Sequence, residues 1–172
     1  MLLPEGGQSV TDIVTVYLGI GTNMGNRESN LDMALDLLSQ RMRMGRKSSI
    51  YDTEAVGDTG QPRFLNMVCE VFTRLAPEGL LALAKGIESK LGRYGKTGEP
   101  RPIDIDILLY GDTVLNTPDL VIPHPRMTER AFVLVPLAEI APDVVHPETG
   151  RTIKELREAV REVQGVLKWE TE

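Results

Sequence analysis

The sequence is short of cysteine, of long apolar runs and of net positive charge. One cysteine, Cys69, stands among 172 residues, which excludes an intramolecular disulfide. Its place in the apolar run 65–72 suits a small core residue in a reducing compartment. No apolar run reaches the ~20 residues that span a bilayer. The first dozen residues carry neither the basic start nor the apolar centre of a secretory signal, so a cytoplasmic protein that meets no membrane is expected. Lysine and arginine number 19 against 25 aspartates and glutamates, a net charge of −6 with a pI near 5.1. Bulk attraction to nucleic acid or anionic lipid is thereby excluded, and any phosphate site must be built locally from individual basic residues. Internal repeats, low-complexity tracts and linkers are absent as well. With 41% hydrophobic residues, the chain suits one domain over 13–172, preceded by a turn-rich, flexible extension over 1–12.

What is present concentrates in residues 99–112. Ile103, Ile105 and Ile107 alternate with Asp104 and Asp106, and a strand with its period of two puts the isoleucines on one face and both carboxylates on the other. Carboxylates rooted ~7 Å apart on one face repel unless a cation lies between them. Two hard oxygen donors with open positions suit Mg²⁺, which keeps several waters and shares itself with phosphate. Arg101, three residues before Asp104, is placed to grip a phosphate oxygen. The same pattern also describes a solvated edge strand charged against aggregation, and the motif alone leaves both readings open.

The rest of the chain supplies a frame. Residues 13–20 form a β-branched strand, and the Gly19-Ile20-Gly21-Thr22-Asn23-Met24-Gly25-Asn26 segment is a tight strand-to-helix turn without the lysine and serine or threonine of a Walker loop. Leu31, Leu35, Leu38 and Met42 stripe a helix over 28–42, and a short strand follows over 48–53. Residues 52–63 are polar and glycine-rich, long enough for a mobile lid. A strand over 64–72 shares one face among Phe64, Asn66 and Val68; an aromatic beside a carboxamide suits a flat heterocycle, and equally an ordinary half-buried strand. A helix runs from Pro77 to Gly92, with Glu88 set against its dipole. Residues 93–99 make a second, basic loop. Residues 133–140 and 142–146 are core and turn, Thr152 and Glu155 form a capping box opening a helix to about Gln164, and Trp169 has no assigned place. Strand, helix, two strands, helix, strand is the order of an α+β, ferredoxin-like split β-α-β sandwich: an antiparallel sheet with helices on one face and a C-terminal extension. The cleft is expected at the uncovered sheet edge, between the two loops.

Several separated motifs together resemble one family. Pro100-Arg101-x-x-Asp104-x-Asp106-Ile107-Leu108, the Gly21-Thr22-Asn23 turn, Gly57-x-x-x-Gln61-Pro62 ahead of Phe64 and Asn66, and Pro123-His124-x-x-Met127-x-x-Arg130-x-Phe132 resemble 6-hydroxymethyl-7,8-dihydropterin pyrophosphokinases over about residues 16–147. The resemblance implies transfer of the diphosphate of ATP to the hydroxymethyl group of the pterin, giving AMP, in folate biosynthesis. It implies Arg93, Arg101, Asp104 and Asp106 as catalytic residues and two Mg²⁺ ions on Asp104 and Asp106. Glu88, Arg93, Lys96, Arg101, Ile107, His124 and Arg130 fall at the nucleotide; Thr53, Val56, Phe64, Asn66, Asp104 and Phe132 fall at the pterin. Two departures stand out. Gly95 replaces a second arginine in a shortened loop 93–99 that lacks the family tryptophan, leaving Lys96 as its charge, and Pro125 stands where tyrosine is common. The implied partners are ATP and the pterin, with association with other folate-pathway enzymes allowed. The competing readings are a non-catalytic, ferredoxin-like regulatory module that binds a metal or small ligand, and a kinase that moves only the γ-phosphate.

Overall fold

The computed structural model describes residues 12–54, 62–92, 102–160 and 165–169. Strand β1 (Val14–Thr22) leads into α1 (Arg27–Ser39), whose first turn is capped by the Asn26 side chain accepting the Ser29 N–H. The helix ends three residues before Met42, which still packs into the core as the chain leaves. The single strand expected over 48–53 is instead two pieces, β2 (Arg43–Lys47) and β3 (Tyr51–Thr53). Ser48 makes the break, giving its N–H to the Val68 carbonyl and taking the Val68 N–H on its hydroxyl. The Arg-Met-Gly-Arg-Lys of β2 has no apolar alternation to mark it, as befits a charged edge strand. Then follow β4 (Phe64–Thr73), α2 (Pro77–Lys90), β5 (Asp104–Tyr110) and the small hairpin β6 (Leu115–Asn116) and β7 (Val121–Ile122). A 3₁₀ turn over Met127–Glu129 precedes α3 (Ala131–Ile140), found where core and turn were expected. Pro136 inside it conceals the helical pattern from sequence reading. The capping box at Thr152 and Glu155 makes both of its bonds and opens α4 (Ile153–Ala159). Val160, in extended conformation, ends the helix short of the expected run to about Gln164; residues 161–164 and residues 1–11 of the proposed extension lie outside the described residues. Strand β8 (Val166–Lys168), unforeseen in the sequence, closes the described chain.

The sheet order is β5-β1-β4-β3-β8, with β2 also paired to β4, and every pairing is antiparallel. Val16, Leu18 and Ile20 of β1, Leu65, Met67, Cys69 and Val71 of β4, and Ile105 and Ile107 of β5 point to one face, where α1 and α2 cover them. These two helices of the split β-α-β unit share one face, as the element order implies. The C-terminal helices α3 and α4 lie on the opposite face, over Tyr17, Val68, Leu108 and Leu109. A bulge explains the last pair: Tyr17 and Leu18 are adjacent, yet their partners Leu109 and Ile107 are not. The extra residue turns both Leu108 and Leu109 toward α3.

Helix α3 is pinned at its far end, where Glu139 accepts from the Tyr51 hydroxyl and the Ser49 hydroxyl, both at 2.7 Å. It therefore covers only part of the second face. The open remainder, beside Phe132 at the start of α3, is the cleft. It lies on a sheet face and not at the sheet edge where the sequence placed it, because α3 supplies a wall that the element order did not predict.

Candidate active site

The floor of the cleft is made by glycine. Gly19 and Gly21 belong to β1 itself, not to the turn that follows, and they sit opposite Asp106 and Asp104 on β5. On β4 their partners are Val68 and Asn66. A Cβ on Gly21 would run into the Asn66 carboxamide oxygen, and one on Gly19 would meet Leu108 at 3.5 Å. Absent side chains thus leave a hollow between two strands that both carry polar groups on that face. Among the described residues only Gly25 of the segment has a positive φ, of 65°, and only there is glycine serving the turn itself.

Around that floor the expected side chains collect. Thr53, Phe64, Asn66, Asp104, Asp106, Arg130 and Phe132 line a cavity of about 250 Å³. Asn66 donates from Nδ2 to the Thr53 hydroxyl at 2.7 Å, which fixes the carboxamide plane beside the Phe64 ring. Across the cavity, the Arg130 guanidinium lies 5.5 Å from the centre of the Phe132 ring. Its Nε is buried with no hydrogen-bond partner among the described residues. A buried cationic donor without an acceptor is costly, and an anion at this point would relieve it.

The β5 carboxylates also line a second cavity of about 300 Å³, on the side of α2 and the β6–β7 hairpin, with Lys85, Glu88, Ile107, Asp119 and His124. Asp104 is half-buried and Asp106 exposed, while Ile105 and Ile107 between and after them are 5% and 4% exposed. The alternation in the sequence is therefore realised: two carboxylates stand on one face of one strand and form the wall that two cavities share.

Two neighbours hold that wall. Glu88, 5% exposed, accepts the Ile105 N–H on Oε2 at 2.8 Å, so α2 grips β5 midway between the aspartates. Ile107, implied at the nucleotide, packs into the α1–α2 core and also lines the second cavity. His124 gives its backbone N–H to the Leu108 carbonyl at 3.0 Å, just past Asp106, and its Nδ1 accepts the Arg126 N–H at 3.4 Å. The imidazole pKa is lowered by burial; the Asp106 carboxylate opposes that shift, and Arg130 and Arg126 reinforce it. A neutral ring whose Nδ1 accepts carries its proton on Nε2, which can then donate.

Val56, Arg93, Lys96 and Arg101 lie outside the described residues, as do 55–61 of the first expected loop and all of the second, while Asp52 and Thr53, expected to open the first loop, belong to β3. Sequence reading missed Gly19, Gly21, Leu108, Glu54 and Lys85 as lining residues. For Lys85 a signal existed, since it precedes Glu88 by three positions and shares its helix face. Among the described residues, no group of three or more histidine, cysteine, aspartate or glutamate side chains could hold a metal. A pair of carboxylates at a solvent-reached mouth is an all-oxygen, incomplete donor set, which fits Mg²⁺ completed by water and phosphate and not a closed structural site.

A family model described as 7,8-dihydro-6-hydroxymethylpterin-pyrophosphokinase matches residues 17–142. A 2-amino-4-hydroxy-6-hydroxymethyldihydropteridine pyrophosphokinase of Aquifex aeolicus is 40% identical over 146 residues, covering 84% of this chain and 91% of the relative. One of the same name from Bacillus subtilis is 42% identical over 156 residues, 89% of each. The mitochondrial folate synthesis bifunctional protein of Arabidopsis thaliana is 41% identical over 136 residues, which are 78% of this chain but 24% of that protein. Among solved structures, a Plasmodium falciparum HPPK-DHPS chain superposes with a TM-score of 0.73 at 18% identity, over 87% of this chain and 46% of that one. At that identity the match speaks to the fold alone.

Proposed function

The chain belongs to the 7,8-dihydro-6-hydroxymethylpterin-pyrophosphokinase family, and on that premise we propose that the two cavities flanking Asp104 and Asp106 hold its two substrates. The protein is an ATP-dependent diphosphotransferase of folate biosynthesis. We assign the pterin to the cavity of Thr53, Phe64, Asn66 and Phe132, and the nucleotide to the cavity of Lys85, Glu88 and His124. The observation that carries this assignment is the shared wall: one carboxylate pair lines both cavities, so groups bound on either side meet at it.

The chemistry follows from that meeting. The hydroxymethyl oxygen attacks the β-phosphorus of ATP and gives up its proton to solvent, the bond from that phosphorus to the α-phosphate oxygen breaks, and AMP leaves. Asp104 and Asp106 would hold Mg²⁺, two ions on this reading, which when bound neutralises phosphate charge and aligns the reacting oxygens. Phe64 and Phe132 clamp the ring, and Asn66 with Thr53 reads its polar edge. Arg130 meets its missing acceptor in a phosphate oxygen, and neutral His124 donates from Nε2. Val56, Arg93, Lys96 and Arg101 take the roles the family implies. No strong general base is required, because phosphoryl-type transfer passes through a loose transition state.

Residues 13–172 act as one domain in a cytoplasmic setting, in keeping with the finding that no described helix is long and apolar enough to cross a membrane. A non-catalytic module leaves the relatives named as pyrophosphokinases unexplained. Incubation with MgATP and 6-hydroxymethyl-7,8-dihydropterin tests the reading directly. AMP and pterin diphosphate are expected in equal amounts, and neither without pterin. ADP in place of AMP would mean γ-phosphate transfer, and absence of both products would overturn the assignment.

A further inference from the structure

Strand β8 lies beyond the family match, which ends at residue 142, yet it is joined to the pterin side of the cleft. Thr53 pairs with Phe64 on one side and Val166 on the other. Strand β3 has three residues, and without β8 it would be a short open edge. Arg63, the residue before Phe64, gathers the strands: its Nε donates to Asp52 Oδ1 at 2.6 Å, and its Nη2 donates to the Asp52 carbonyl at 3.1 Å and the Gly165 carbonyl at 2.9 Å. The Glu54 N–H also reaches the Gly165 carbonyl, at 3.2 Å. Gly165 has φ +83°, and a Cβ there would come within 2.7 Å of Glu54 Cδ. The far end is anchored on α1. Trp169 donates from Nε1 to Glu28 at 2.9 Å, and its ring lies 5.3 Å from the guanidinium carbon of Arg27, whose Nη1 donates to the Arg63 carbonyl at 3.0 Å.

We propose that Arg63 and residues 165–169 are a clasp that positions the pterin-reading wall of Thr53, Phe64 and Asn66, although none of them lines the cavity. A planar guanidinium can hold three acceptors in one plane, so it locks the end of β3 to the start of β4 and to β8 together. Thr53 orients Asn66 and Phe64 follows Arg63, so loosening the clasp loosens recognition of the flat ring. The carboxylates on β5, two strands away, remain as they are. This inference rests on the substrate assignment above.

The test uses the 172-residue chain carrying Arg63→Ala or Gly165→Ala, and a variant that lacks residues 165–172. Each is expected to raise KM for the reduced pterin about tenfold, the worth of one or two hydrogen bonds, with KM for ATP within about twofold. Combining Arg63→Ala with the truncation should fall well short of the product of the single effects, because both remove the same clasp. Trp169 is the sole tryptophan, so its emission should shift to the red in Arg63→Ala, a readout independent of turnover. Unchanged pterin KM in an active enzyme, or proportionate loss for both substrates, would overturn the clasp alone. Wild-type protein that forms no AMP would sink the substrate assignment and the clasp with it.

Discussion

Gly21→Ala is the sharpest probe of the pterin cavity, since it adds one methyl group and removes nothing. The new Cβ collides with the Asn66 carboxamide oxygen and lies 3.7 Å from Phe64 Cδ1. Asn66 cannot yield freely, because its Nδ2 is held by the Thr53 hydroxyl. If the carboxamide turns away it loses that bond, worth about 0.5–1.5 kcal/mol, and a similar amount in its bond to the ligand. The first loss falls on the free protein as well and counts against stability; the second, about 0.5–1.5 kcal/mol, corresponds to roughly 2- to 13-fold weaker pterin binding. Stability should move little, because alanine in a strand recovers about 0.5–1 kcal/mol relative to glycine. Gly19→Ala is the comparison: its Cβ would meet Leu108 at 3.5 Å, an ordinary contact, and the effect should be several-fold smaller. Calorimetric titration with the reduced pterin, in the presence of a non-hydrolysable ATP analogue, measures both. Unchanged affinity in Gly21→Ala, or equal losses in the two variants, would refute the glycine floor.

Further outcomes follow from the same geometry. Asp106→Ala should cut AMP formation by about 10³-fold or more while the unfolding free energy stays within about 0.5 kcal/mol; full turnover at saturating Mg²⁺ would count against the metal assignment. Phe64→Ala should weaken pterin binding by about 1–3 kcal/mol and spare the nucleotide, whereas equal loss of both would point to a folding defect. Glu88→Ala strands the buried Ile105 N–H and should destabilise by about 1.5–3 kcal/mol in denaturant titrations; Glu88→Gln keeps an oxygen acceptor and should cost less than half of that. Acid sensitivity should centre in part on Glu70. Burial pushes its carboxyl up, but hydrogen bonds from Arg46 and Tyr17 outweigh that and leave it below its ordinary 4.5. Its stabilising contribution is therefore present above pH 4.5 and is lost as pH falls through the lower folded value. Glu70→Gln should lose less stability between pH 6 and pH 3.5 than the wild type, and an equal or larger loss would show that other carboxylates carry the effect.

The chemistry was legible where it depends on spacing along one strand. Ile103 to Ile107 announces two acids on one face because the period of a strand is local, and Phe64 with Asn66 is legible for the same reason. The starts of two helices and the stop of the first were equally plain, since Pro77, the Thr152–Glu155 box and Gly92 each act within a single turn, whereas the second helix ends at Ala159, short of the expected Gln164. Strand β2 was missed because its residues face mostly solvent and carry no apolar rhythm. Helix α3 was missed because Pro136 interrupts an otherwise apolar run. Glu88 showed itself only as a charge on the wrong side of a helix dipole, and its hydrogen bond to Ile105 spans two elements.

Residue order by itself determined the split β-α-β frame, the carboxylate pair and the aromatic and carboxamide that accompany it, because each follows from short-range periodicity. Tertiary structure alone decided that Gly19 and Gly21 hollow out the floor, that α3 moves the cleft from the edge to a face, and that β8 ties itself to Arg63. Those features arise where strands distant in sequence come into register, and a missing side chain on one strand gains its meaning only from what stands on the next.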